Sequence, residues 1–193
     1  MWGLREYTEL DNKKQRTDNR EQMIEKKIMN KVIEIIKKKP VLFLAVSVGY
    51  AIGVGILKWK IVWPPQSNAA GTFDVLPQAF LYLSGAILGV YFLDGAEVFF
   101  ALTPSPFRSI VFMAAYAVVS FFVVTSSGSF LGAGLVLSLY LSLLLWQIGE
   151  LGLTGNLNSW YRMVAGVPTV IQQKWILAAM AAVFFIETYL FIR

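Results

Sequence analysis

The sequence predicts an all-α protein: a polytopic transmembrane helix bundle of about five spans, preceded by an amphipathic helix lying at the membrane interface. Three observations carry this. Of 193 residues, 56% are apolar and only 15% charged, and the mean hydropathy is +0.59, a balance that disordered tails and water-soluble globules do not show. Basic residues crowd into the first 39 positions, as Arg5, Lys13, Lys14, Arg16, Arg20, Lys26, Lys27, Lys31, Lys37, Lys38 and Lys39, and leave that tail with a net charge of +4. The rest of the chain falls into uncharged apolar stretches long enough to cross a hydrocarbon core of roughly 30 Å, which takes about 20 helical residues.

In the tail, residues 1–39, Ile24, Ile28, Val32 and Ile35 recur at helical spacing between Met23 and Lys39, with Met29, Ile33 and Ile36 widening the stripe and lysines opposite. That is an amphipathic helix. Its expected partners are membrane lipids, with the lysines drawn to anionic headgroups; a helix of a partner protein is the other reading.

The bundle, residues 40–193, begins with a span over 41–57, bracketed by Lys37-Lys38-Lys39-Pro40 and by Lys58-Trp59-Lys60, which are snorkelling and aromatic anchors. The connection from Lys58 to Gln78, with Trp59, Trp63 and Pro64-Pro65, reads as a surface loop. A second span covers 77–100 and a third 106–125, opened by Ser105 as N-cap and Pro106 at the first helical position. A fourth covers 130–148. Only Ser126-Ser127-Gly128-Ser129 separates the third from the fourth, so these two are antiparallel neighbours. The fifth covers 175–192. Between the fourth and fifth, Leu157, Trp160, Tyr161, Val164, Val167 and Ile171 suggest an in-plane helix with Trp160 and Tyr161 at headgroup level; a re-entrant loop around Pro168 is the alternative.

With the N-terminus cytoplasmic, that face collects the tail, Arg108, Arg162 and Lys174, against Lys58, Lys60 and Arg193 on the far side. The positive-inside bias therefore puts the N-terminus in and the C-terminus out. The tail alone decides this.

The chain has neither histidine nor cysteine. Thiol nucleophiles, Ser-His-Asp triads, His-ligated haem and the usual zinc sites drop out. Asp94 is the only aspartate inside a predicted span, so a facing aspartate pair is missing too. No enzyme, cofactor or resident metal is expected, and no glycine-rich phosphate loop or basic groove points to nucleotides or nucleic acid.

Intramembrane carboxylates are the residues with chemistry to spare, because a charge at depth costs a few kcal/mol. Glu187 lies well inside the fifth span with no local cation. Asp94 and Glu97 sit near the cytoplasmic end of the second. These three are the candidate ion or proton site. Glu97 and Arg108, and Glu150 and Arg162, share a separation of eleven or twelve residues within a weak internal echo, which suggests ion pairs at the cytoplasmic face. Gly49 and Gly53, Gly85 and Gly89, and Gly128 and Gly132 have the four-residue spacing that lets helix backbones approach in lipid. The leading expectation is a non-catalytic packing subunit or scaffold of a membrane assembly, a homo-oligomer or one with another membrane protein. The alternative is a small cation or proton channel or carrier.

Overall fold

The computed structural model describes residues 41–59, 69–101 and 105–193, with side chains from residue 76 onward in the second stretch. The predicted amphipathic helix of the tail, and Trp63 with Pro64-Pro65, lie outside the described residues. Everything regular among the described residues is helical: α1 (Val41–Trp59), α2 (Ala69–Phe100), α3 (Ile110–Ser126), α4 (Phe130–Thr154), a single 3₁₀ turn (Asn158–Tyr161) and α5 (Val170–Ile192).

Four of these, α1, α2, α4 and α5, are long and apolar enough to cross a membrane. At 17 residues, α3 is about 25 Å long at 1.5 Å per residue. It nevertheless joins opposite ends of the bundle, because the helices alternate in direction. Phe43 meets Trp146 and Trp59 meets Phe130, so α1 is antiparallel to α4. Tyr50 meets Thr188 and Lys58 lies over Phe191, so α1 is parallel to α5. Large apolar side chains such as Ile87, Phe92, Val118, Phe122, Trp175 and Phe185 stand more than half exposed around the outside. Water would not tolerate so continuous an apolar surface on a monomer, whereas lipid does. The chain is an integral membrane protein.

Helix ends follow local chemistry, and several depart from the predicted limits. Ser109, not Ser105, caps α3: its Oγ accepts from Phe112 N at 3.2 Å and donates to Pro106 O at 2.9 Å. Starting the helix one turn late keeps Arg108 out of a first turn whose positive dipole end would repel it. Ser129 caps α4 by accepting from Gly132 N at 3.1 Å. That helix runs on through Gly149, Glu150 and Gly152 to Thr154, where Gly155 at φ 75° closes it. Thr169 opens α5 five residues early with a capping box: Gln172 N donates to Thr169 Oγ1 and Thr169 N donates to Gln172 Oε1. The predicted in-plane helix is reduced to the 3₁₀ turn, and Trp160 and Tyr161 are buried against the bundle.

The core is organised around α4, which meets each of the other four helices. Its closest neighbour is α2, parallel to it. A methyl on Gly85 would overlap the Leu131 carbonyl, one on Gly89 the Leu135 carbonyl, and one on Gly134 the Tyr82 carbonyl. The two backbones therefore touch along two helical turns.

The other predicted glycine pairs do not pack this way. Among the described residues no atom lies near an added Cβ on Gly49 or Gly53, because Ser47, Ala51 and Val54 take the inward face of α1 and two residues on is about 200° around the helix. Gly128 forms the α3–α4 turn at φ 60°, which only glycine adopts readily, and Gly132 abuts its own cap, Ser129.

These contrasts give a stability test. Gly134→Ala should cost about 1–3 kcal/mol by overpacking and lower the unfolding temperature of the detergent-solubilised protein, whereas Gly49→Ala should change it by less than about 0.5 kcal/mol.

Candidate functional site

Polar side chains inside the bundle gather in three places, each built by a different local device. At the end where α2 finishes, Asp94 and Glu97 lie three residues apart and share a face. The segment 105–109, just ahead of α3, brings Arg108 onto them. Its Nε and Nη2 donate to Glu97 Oε1 and Oε2 at 2.7 and 2.8 Å, and Nη2 reaches Asp94 Oδ1 at 3.3 Å. Asp94 is 1% exposed and Glu97 7%, while Arg108 retains 26%. The guanidinium also stacks over Trp146 of α4, 4.3 Å from the ring centroid. One arginine thus holds two carboxylates and an aromatic face, a use of its planar fork that lysine does not match.

A few residues beyond Trp146, in the last turns of α4, Glu150 organises the connection to α5. It accepts from Ser159 Oγ and, at 2.9 Å, from the Trp160 indole nitrogen. The predicted ion pair with Arg162 does not form: α4 continues past Glu150, the folded-back 3₁₀ turn supplies neutral donors first, and Arg162 turns outward to donate to Ser159 O at 2.8 Å. Gln173, fully buried, completes the closure by accepting from Leu157 N at 2.6 Å and donating to Asn158 Oδ1 and Pro168 O at 2.8 and 2.9 Å. Burial pushes the Tyr161 phenol above its ordinary value, so it stays neutral. Gln173 was not singled out from the sequence, and Trp160 was read there as a headgroup anchor rather than a donor to Glu150; Pro168, which ends one segment and precedes the Thr169 cap, was the available signal for Gln173.

The third place is the interior between α3, α4 and α5. Glu187 is 0% exposed, and both its oxygens lie within hydrogen-bond range of Ser120 Oγ, at 3.0 and 2.8 Å. No lysine or arginine among the described residues pairs with it. Tyrosines surround it without spending their hydroxyls on it: Tyr50 shares a hydrogen bond with Thr188 Oγ1 at 2.7 Å, Tyr116 donates to Val136 O and Tyr140 to Met180 O, each at 3.1 Å.

Above Glu187, toward the Lys58 end, a half-open cleft of about 210 Å³ is lined by Lys58, Val124, Phe130, Ala133, Leu190 and Phe191 among others. The structure therefore separates the candidate ion site: Asp94 and Glu97 belong with Arg108 at one end, and Glu187 stands apart. No protein-family model, curated protein or solved structure matches the chain.

Arg108 holds its two carboxylates in a largely desolvated setting. Arg108→Gln should destabilise the bundle by about 3–5 kcal/mol, the usual penalty for stranding a buried charge; adding Asp94→Asn and Glu97→Gln should restore most of that, read as unfolding temperature in the same detergent.

Proposed function

We propose that the protein is a non-catalytic helix-packing subunit of a membrane assembly, and the observation that carries the reading is the outer face of α1. Ala45 and Gly49 are exposed and Gly53 is half-buried, at positions i, i+4 and i+8, and among the described residues nothing fills the space beside either glycine. At Gly85 and Gly89 the same spacing is used up on contact with α4. Lipid tails do not draw helices together, so a flat glycine face gains most from a second helix whose backbone can close on it.

The polar interior supports a packing role. Asp94 and Glu97 close on Arg108, and Glu150 closes on Ser159 and Trp160, so these acids are engaged in holding the helices rather than lining a path. A continuous water-filled route would call for more polar lining than these spans carry. The partner is a second copy of this chain or another membrane protein, with the basic tail held near anionic headgroups.

Crosslinking in native membranes checks this. The wild-type chain should give a defined higher-order adduct, and Gly49→Ile with Gly53→Ile should abolish it while the monomer keeps its unfolding temperature; an unchanged adduct pattern, or none in the wild type, sinks the reading.

We further propose that the N-terminus is cytoplasmic and the C-terminus on the opposite side, in keeping with the tail's charge and with five helices that alternate in direction. Because the chain has no cysteine of its own, single cysteines placed before Pro40 and after Ile192 report directly. An impermeant maleimide added to intact cells should label only the second.

A further inference from the structure

The hydrogen-bond inventory around Glu187 does not close with the atoms of an ionised side chain. Ser120 Oγ stands 3.1 Å from Ala117 O and 3.0 and 2.8 Å from the two oxygens of Glu187. A serine hydroxyl has a single proton to donate. With Glu187 as a carboxylate, three acceptors compete for that one proton at a position with no exposure to solvent, where an unmet acceptor and an uncompensated charge both cost free energy.

One additional proton relieves that competition. A carboxylic acid at Glu187 donates its O–H to Ser120 Oγ, and Ser120 in turn donates to Ala117 O. Ser120 Oγ and Ala117 O then each receive a proton, the oxygen left without a donor is a neutral carbonyl rather than half of a carboxylate, and the side chain carries no charge.

A second, independent feature gives that proton somewhere to come from. Leu190 and Phe191 are three and four residues beyond Glu187, and Val123 and Val124 are three and four beyond Ser120; all four line the cleft that opens at the Lys58 end. The floor of the cleft therefore lies about one helical turn from the carboxyl group. The groups that surround the site are the Tyr50 phenol on α1, the Tyr116 phenol on α3 and the Tyr140 phenol on α4, each in electrostatic reach of Glu187. At the mouth, the Lys58 ammonium is held 5.1 Å from the centroid of the Phe191 ring, a positive charge that any cation entering the cleft meets.

We propose that Glu187 and Ser120 form an exchangeable proton-binding site in the middle of the bundle, served by the cleft at the Lys58 end. The step is a plain equilibrium: a proton from water adds to a Glu187 oxygen on binding, and returns to water on release, with no other bond made or broken. This goes beyond the packing role, since it assigns the one interior carboxylate among the described residues that the helix-closing contacts leave over.

Infrared spectroscopy of the full chain in lipid vesicles tests it. The C=O stretch of a protonated carboxyl should be present at low pH, vanish in Glu187→Gln, decline reversibly as pH rises, and move to lower frequency on transfer to D₂O. Glu187→Gln keeps the shape of the side chain and an NH₂ donor toward Ser120, so it should fold. Ser120→Ala should keep the band but shift its pH midpoint, and Val124→Trp, on the cleft wall, should slow the D₂O response several-fold without moving the midpoint.

Absence of a band attributable to Glu187 at any pH overturns the proposal. So does a band that answers neither to pH nor to D₂O, which would make the acid a permanently neutral packing group. Loss of the band on adding sodium at fixed pH would reassign the site to a metal cation and overturn it as well, and an unchanged D₂O rate in Val124→Trp would remove the cleft as the route.

Discussion

Backbone contact between α2 and α4 governs the architecture. In lipid the ordinary hydrophobic incentive for helices to associate is missing, and what replaces it is dispersion between closely packed surfaces. Gly85 and Gly89 set their Cα atoms against the carbonyls of Leu131 and Leu135, and Gly134 returns the contact onto Tyr82. Once those two helices are locked in parallel, the antiparallel turns on either side of α4 have little freedom. α3 must return along its flank, and α5 and α1 close around the remainder. The result is a central helix covered on every side, with Leu137, Ser138, Tyr140, Leu143 and Leu144 all buried.

Polar groups then act as fasteners where packing alone would leave the ends loose. Arg108 ties α2 to α4 through Trp146 and fixes the start of α3. Glu150 and Gln173 draw the connection between α4 and α5 back against the bundle. Inside a medium of low polarity such bonds are strong when complete and costly when broken, which suits them to setting register. Some buried polar groups stand outside this pattern: Ser47, Ser138, Ser142 and the Gln147 amide find no hydrogen-bond partner among the described residues. They lie along the inner faces of α1 and α4.

Hydropathy and charge made the class of protein, the helical runs and the Ser126–Ser129 hairpin legible, because each depends on composition over many residues. Helix limits were less so. Gly149, Glu150 and Gly152 end the apolar run of α4 but not its backbone hydrogen bonds, which continue to a glycine able to take a positive φ. Ser105-Pro106 has the form of a helix start, yet Ser109 is the cap, since the turn is set by where Arg108 must reach. The glycines show the same limit more sharply. Gly49, Gly85 and Gly128 begin identical four-residue spacings, but which one meets another backbone depends on rotation about the helix axis, information that lives in the whole bundle. Gly134 belongs to no such pair and is one of the tightest contacts. Glu187 was visible as an anomaly; that its neighbour is Ser120, 67 positions earlier, was not.

The central position of α4 bears on how the molecule is made. A ribosome delivers α1, α2 and α3 to the membrane before the helix on which all three are meant to rest. Until it arrives, Gly85 and Gly89 face lipid, and the Arg108 clasp lacks the indole beneath it. Assembly therefore waits on α4: a chain truncated after α3 keeps the contact between α1 and α2 but gives α3 no helix to rest on.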